Sequence, residues 1–310
     1  MFGFPLTRRE VAALVSWLVA SHVVAAGIGR AQDATLREVG GQALRVDRTL
    51  EIEAVAGPEL IKWPIVADWD AAGRLVVAEC GGVSKPIVEH NKQQLHRIVR
   101  LVDSNGDGTF DKRIVAADNL AFPEGVLCVG NAMLVSTPPQ IWKLTDGDGD
   151  GVCEKREVWY DPGTITGCAN DLHGPYMGRD GWIYWCKGAF AEQHHRLITG
   201  KEFVTRASHI FRRRFDGGPV EPVMTGGMDN PVEMAISHTG ERFFTSTFLQ
   251  RPAAGKRDGI AHAVYGGVYG KQNDVLQGHK RTGDLMPIMT HLGPAAPSGL
   301  ICLESSRLLG

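Results

Sequence analysis

The chain has 310 residues, 43% of them hydrophobic and 22% charged, with a formal net charge of −2 and a pI near 6.6. These proportions exclude a disordered chain, and the near-neutral charge leaves no basic footprint for nucleic acid. With 38 glycines and no long apolar helical pattern beyond the first thirty residues, an all-β protein with many turns is expected.

Arg8 and Arg9 precede an apolar stretch from Val11 to Ala26 and then small residues ending in Gly29-Arg30-Ala31. This order reads as an export signal, and the apolar stretch is shorter than the ~20 residues that span a bilayer. The expected layout is a signal peptide over 1–31, a linker over 32–50 and a propeller domain over 51–310, in a protein exported to the periplasm or cell envelope. An ordinary secretory signal, a twin-arginine signal and a retained anchor all fit the pattern. The six cysteines form no CxxC and no CxxCH, which excludes a zinc ribbon and leaves no haem in this chain; isolated thiols are expected.

Five stretches then share one layout: Trp63–Glu79, Phe122–Thr137, Gly174–Gly188, Asn230–Thr247 and Ala296–Gly310. Each opens near a proline (Pro64, Pro123, Pro175, Pro231, Pro297), runs through an apolar strand, turns and returns as a second strand. Second hairpins are expected between them: "HRIVRLV" with "FDKRIVA", "QIWKLT" with "EKREVWY", "SHIFRRRF" with "PVEPVM", and "HAVYGGVYG" with "LMPIMTH". Four short strands per repeat of this length are the signature of a β-propeller blade. The expected fold is therefore four complete four-stranded blades plus the start of a fifth, an incomplete six-bladed propeller, truncated at its C-terminus. "LQRPAAGKRDGIAHA" reads as an insertion.

The outer hairpins of the first two blades carry acidic turns. "DSNGDG" places Asp103, Asn105, Asp107 and Asp111 in one turn, and "DGDGDG" places Asp146, Asp148, Asp150 and Glu154 in the other. Position 12 of the first turn is Ile114, so an EF-hand is excluded, yet the clustered oxygens suit calcium in a hairpin turn. The alternative is that Asp, Asn and Gly are simply good turn formers.

Innermost strands converge on a propeller axis, which brings Glu124, Asp171, His173, Asn230 and Glu233 into consideration as axial groups. A histidine at a strand start serves either as a proton acceptor or as a cap. The pair His194-His195 has no third metal ligand at useful spacing, and Arg212-Arg213-Arg214 reads as an outer solvated face.

At Asp171–Gln193, Gly226–Met234 and Ala263–Lys271 the chain resembles the exported propeller proteins of PVC-type bacteria known as membrane-bound dehydrogenases, related in fold to glucose/sorbosone dehydrogenases. The resemblance covers roughly residue 51 to the end. It implies a quinoprotein-like sugar or alcohol dehydrogenase, with pyrroloquinoline quinone over the axis and a cytochrome c electron acceptor. By position, it implies His173 as the catalytic base and Lys187, Asn230 and Arg251 as quinone contacts. The reading that competes with it is a non-catalytic, calcium-stabilised propeller scaffold that binds a glycan or a protein.

Overall fold

The structure, a computed structural model, describes residues 34–164, 166, 172–250 and 255–303. The expected signal peptide lies outside them. Among the described residues no helix is long and apolar enough to cross a membrane.

Within the expected linker, β1 (Ala34–Val39) and β2 (Gln42–Asp47) form a separate hairpin. Four blades follow, arranged as a β-propeller. Blade 1 is β3 (Pro64–Trp69), β4 (Leu75–Glu79), β5 (His96–Val102) and β6 (Lys112–Leu120), with a short helix α1 (Ile87–Gln93) inserted before β5. Blade 2 is β7 (Gly125–Val129), β8 (Ala132–Thr137), β9 (Gln140–Thr145) and β10 (Lys155–Tyr160).

Blade 3 comprises β11 (Leu172–Met177), β12 (Trp182–Lys187), β15 (Ser208–Arg214) and β16 (Gly217–Gly226). Between β12 and β15 it carries an added hairpin of β13 (Gln193–Arg196) and β14 (Glu202–Thr205). Blade 4 is β17 (Asn230–Ile236), β18 (Arg242–Thr247), β19 (Asp258–His262) and β21 (Thr290–Gly293).

Strand alternation explains the stacking. Successive side chains point to opposite faces. On β8, Met133 and Val135 join Val76, Ala78 and Ile98 of blade 1 in one core, whereas Leu134 joins Ile183, Trp185 and Phe211 of blade 3 in another. On β12, Ile183 and Trp185 face blade 2 while Tyr184 and Cys186 join Met234 and Phe244 of blade 4. A strand buried on both faces reads as an unbroken apolar run, as "AMLVST" and "WIYWCK" do. Blade 1 buries its other face, with Val77, Val99 and Leu101, under Val55, Leu60 and Ile61.

Two expectations change. The outer pair of blade 4 is not the "HAVYGGVYG" and "LMPIMTH" hairpin: its third strand, β19, comes from the stretch read as an insertion, and β20 (Gly267–Tyr269) adds in parallel to β16 of blade 3. "DGIAH" supplies the apolar alternation, whereas Gly266 and Gly270 at positive φ turn the chain away at both ends of β20. For the expected fifth unit, the described residues 294–303 carry no strand, and the remainder lies outside the described residues.

The innermost strands β3, β7, β11 and β17 pack in series, and three of them shift register beside their prolines, at Pro64/Val66, His173/Tyr176 and Pro231/Met234. Proline has no ladder donor, so a register shift there is locally favoured. β7 and β11 meet at glycine: a Cβ on Gly125 would lie 1.8 Å from the carbonyl oxygen of Gly174. Gly125→Ala is therefore expected to lower stability by about 2 kcal/mol or more, whereas Gly283→Ala, which meets nothing within 4 Å, should be near neutral. Thermal denaturation of the two variants checks this, and equal melting temperatures contradict it.

Candidate functional site at the propeller axis

The innermost strands enclose a channel of about 390 Å³, lined by Asp68, Glu124, Tyr176 and Glu233 among apolar residues, and by Leu300, Ile301 and Cys302 from the C-terminal segment. Glu124 directly precedes β7 and His173 is the second residue of β11. Their chain neighbours Gly125 and Gly174 are the pair in backbone contact, so the two side chains are brought together where the strands begin. Glu124 Oε2 lies 3.3 Å from His173 Nδ1, with both side chains more than nine-tenths buried. A carboxylate on Nδ1 fixes the ring and its tautomer and leaves Nε2, itself buried, as the nitrogen that could take up a proton.

Also in the channel wall, burial raises the Glu233 carboxyl to about 7, moderated by hydrogen bonds from the Tyr176 hydroxyl and the Met234 backbone. Burial also raises the pKa of Asp68, which accepts the backbone N–H of Cys128 and of Trp69, each at 2.8 Å. Asp68 and Tyr176 carry no sequence signal of their own. They become axial only through the convergence of strands far apart in sequence.

The other expected contacts separate. Asn230 begins β17, and its carbonyl accepts the Ser246 hydroxyl. Lys187, at the end of β12, is 1% exposed and donates to the carbonyls of Gly188 at 2.7 Å and Ala207 at 3.0 Å. Its other neighbours are histidines that no sequence pattern links to it. Burial, and next the Lys187 charge, depress His195 to about 3 and His209 well below the usual histidine range, and they lower His279 as well. Thr205 Oγ1 bridges His209 Nε2 at 2.7 Å and His279 Nε2 at 3.1 Å. Asp171 and Arg251 lie outside the described residues.

A tricarboxylate quinone needs cations. The charged side chains that line the channel are carboxylates, Lys187 donates to two carbonyls, and Lys271 is paired with Asp229 at 2.8 Å. The described donor set does not fit pyrroloquinoline quinone, and no step is derived through it.

Both acidic turns occupy the same outer hairpin of consecutive blades, between β5 and β6 and between β9 and β10. They differ in what they hold. Among the described residues, the carboxylates that gather are Asp146, Asp148, Asp150 and Glu154, with candidate ligand oxygens within 4.8 Å of one another. The Asp103 carboxylate accepts the backbone N–H groups of Gly106, Asp107 and Gly108, which hold its pKa below the usual range, Gly108 most strongly. Asn105 donates to Asp107, and Asp111 accepts from Ser104. Asp146 is also a structural anchor: it is 3% exposed and bound by Arg100 of blade 1 at 2.5 Å, while Arg100 and Arg74 both approach Asp70.

The Glu233 environment has a consequence for pH. An unperturbed glutamate titrates near ~4.3, so between that value and about 7 the folded protein keeps a proton that the unfolded chain has released. The stability contribution of Glu233 therefore falls as pH rises through this window and is flat above it. Glu233→Gln is expected to gain stability relative to the parent between pH 5 and pH 8. A melting-temperature difference that does not change over this range contradicts the assignment.

Among curated proteins none matches the sequence. A Trichoderma reesei carbohydrate-active enzyme of family AA12 is similar in fold, with a TM-score of 0.51 at 14% identity over 78% of this chain and 59% of that chain. The PQQ domain of a Coprinopsis cinerea pyranose dehydrogenase follows at 0.47, with 13% identity over 69% of this chain and 53% of that one. A Thermus thermophilus oxidoreductase described as a glucose dehydrogenase scores 0.46, with 18% identity over 74% of this chain and 69% of that one. The chain thus spans between half and two thirds of the length of the first two structures, and the likeness is one of fold. At the level of sequence, the profile of one family matches residues 38–282, well over half the chain, and the protein belongs to that family, the domain of unknown function DUF7133.

Proposed function

We propose that the axial mouth is the active site of an exported oxidoreductase that takes a sugar or alcohol, with the Glu124–His173 pair as its proton acceptor. The observation that carries this reading is the buried carboxylate–imidazole contact at the head of two adjoining innermost strands, beside a channel large enough for a small ligand. Oxidation of an alcohol removes a proton from the hydroxyl and a hydride from its carbon. His173 takes the proton at Nε2, and Glu124 stabilises the imidazolium that forms. The carboxylates lining the channel favour a neutral, hydroxylated ligand over an anionic one. The hydride requires a two-electron acceptor. The resemblance of Asp171–Gln193 to quinoprotein propellers implies pyrroloquinoline quinone with a cytochrome c downstream, whereas the described axial residues supply no cations for that quinone, so the acceptor is left to the test below.

Two observations favour the competing scaffold reading. Leu300, Ile301 and Cys302 add apolar wall to the channel, and four carboxylates gather in the second acidic turn. We place calcium in that second turn in either case, where it neutralises Asp148, Asp150 and Glu154 around the Arg100-bound Asp146. Asp148→Asn with Asp150→Asn is expected to abolish a calcium-dependent rise in melting temperature that magnesium does not reproduce. A rise that survives the double substitution contradicts the site.

The enzymatic reading is tested by dye reduction across a sugar and alcohol panel, using the full chain with and without added quinone and calcium. Substrate-dependent reduction is expected, falling ~100-fold or more in His173→Ala and less steeply in Glu124→Gln. If no compound in the panel reduces the dye in either arm, the oxidoreductase reading fails and the scaffold reading stands.

A further inference from the structure

Away from the axis, a groove of about 450 Å³ lies where the last strand of blade 2 meets the hairpin added to blade 3. Its walls are Tyr160 from the end of β10, Arg196 and Ile198 from the β13–β14 hairpin, and Arg213 and Pro219 from β15 and β16. Among the described residues the added hairpin has no counterpart in the other blades, so this groove is a departure from the repeat.

The charges in the groove are unbalanced. Arg213 is half-buried and donates to the carbonyls of Gly218 and Trp159, and its guanidinium lies 5.0 Å from the Trp159 ring and 5.6 Å from the Tyr160 ring. No carboxylate among the described residues lies within ion-pair distance of it, and burial lowers its pKa against the opposing influence of Tyr160 and the more distant Asp216. Exposed Arg196 likewise has no ion pair among the described residues. The one carboxylate of the wall, Asp161, accepts Gln140 Nε2 and the Gly163 N–H, each at 2.7 Å. A half-buried cation whose direct contacts are carbonyls and ring faces, with the Asp216 carboxylate acting on it only beyond ion-pair distance, is stabilised further by an incoming anion, and a planar guanidinium matches a carboxylate in two-point contact.

The apolar part of the wall is also specific. The Tyr160 hydroxyl is hydrogen-bonded to His195 Nδ1, with the two rings within 12° of parallel, and His195 packs on Phe211 at 4.4 Å. His195 is 4% exposed, so Tyr160 is fixed from behind rather than free to turn. A fixed aromatic with Pro219 and Ile198 beside it presents flat C–H-binding surface next to the arginines.

We propose that this groove binds a carboxylated saccharide, its carboxylate held by Arg196 and Arg213 and its ring face set against Tyr160 and Pro219. The site is separate from the axis and does not depend on the reaction proposed there. The test is calorimetric titration of the full chain with a glucuronic-acid disaccharide, the matching neutral glucose disaccharide, and acetate. The acidic disaccharide is expected to bind at least ~10-fold more tightly than either of the others, because each supplies only half of the recognition. Arg196→Ala, an exposed change that leaves folding intact, should weaken it ~10-fold. Arg213→Lys, which keeps the charge and removes the fork, should also weaken it, and His173→Ala should leave it unchanged. Equal affinity for the neutral sugar, acetate binding as tight as the disaccharide, or an affinity indifferent to Arg196→Ala each overturns the proposal.

Discussion

The contact between Gly125 and the Gly174 carbonyl is the constraint on which the axial arrangement depends. Two blades can pack this closely only because neither residue carries a side chain at the point of approach, and Ser136 Oγ, 2.5 Å from the same carbonyl oxygen, satisfies it from within blade 2. The residues immediately before them are Glu124 and His173. The backbone approach that closes the blade stack thus also delivers a buried carboxylate to a buried imidazole. The fold and the candidate site share one cause.

Electrostatics then separate the molecule into regions of different charge. The channel carries Asp68, Glu124 and Glu233, and the cations described near it are already engaged by carbonyls or by Asp229. The outer groove carries arginines faced by carbonyls and aromatic rings. Between blades 1 and 2, Asp146 does a third kind of work: Arg100 crosses the interface to bind it, so the second acidic turn is tied into the blade stack at the same point where its carboxylates gather. Removing one partner of such a buried pair leaves an uncompensated charge, which is costly. Asp146 is for that reason a poor target for testing the turn, and the exposed Asp148 and Asp150 are better ones.

Much of this was legible in the sequence. The four inner hairpins follow from strand alternation and turn residues, and three of the four outer hairpins from the same pattern, because both signals are local. The fourth was not legible: β19 follows a stretch interrupted by Arg, Pro, Lys and Gly, and β20 pairs in parallel with a strand more than forty residues away, for which no local pattern exists. At the site, Glu124, His173 and Glu233 could be named because each sits on an inner strand or at its start. Their pairing could not, since it depends on which inner strands touch. Lys187 shows the converse. Its place at a strand end was readable, but its enclosure by Gly188, Ala207 and three histidines required the assembled blade. The acidic turns were equally readable as a pair, while the difference between them lies in backbone amides that satisfy Asp103 and in an arginine that reaches Asp146 from the neighbouring blade.

In the proposed site Glu124 holds the His173 ring for proton exchange with a ligand at the axis. Nitrogen-15 spectroscopy of the histidine side chains in the full chain reports on that arrangement. A single His173 tautomer with the proton on Nδ1 is expected, lost as a unique state in Glu124→Gln, with a shift confined to Nε2 when a sugar or alcohol ligand is added. A His173 signal that is unchanged by Glu124→Gln and by every ligand of that class would contradict it.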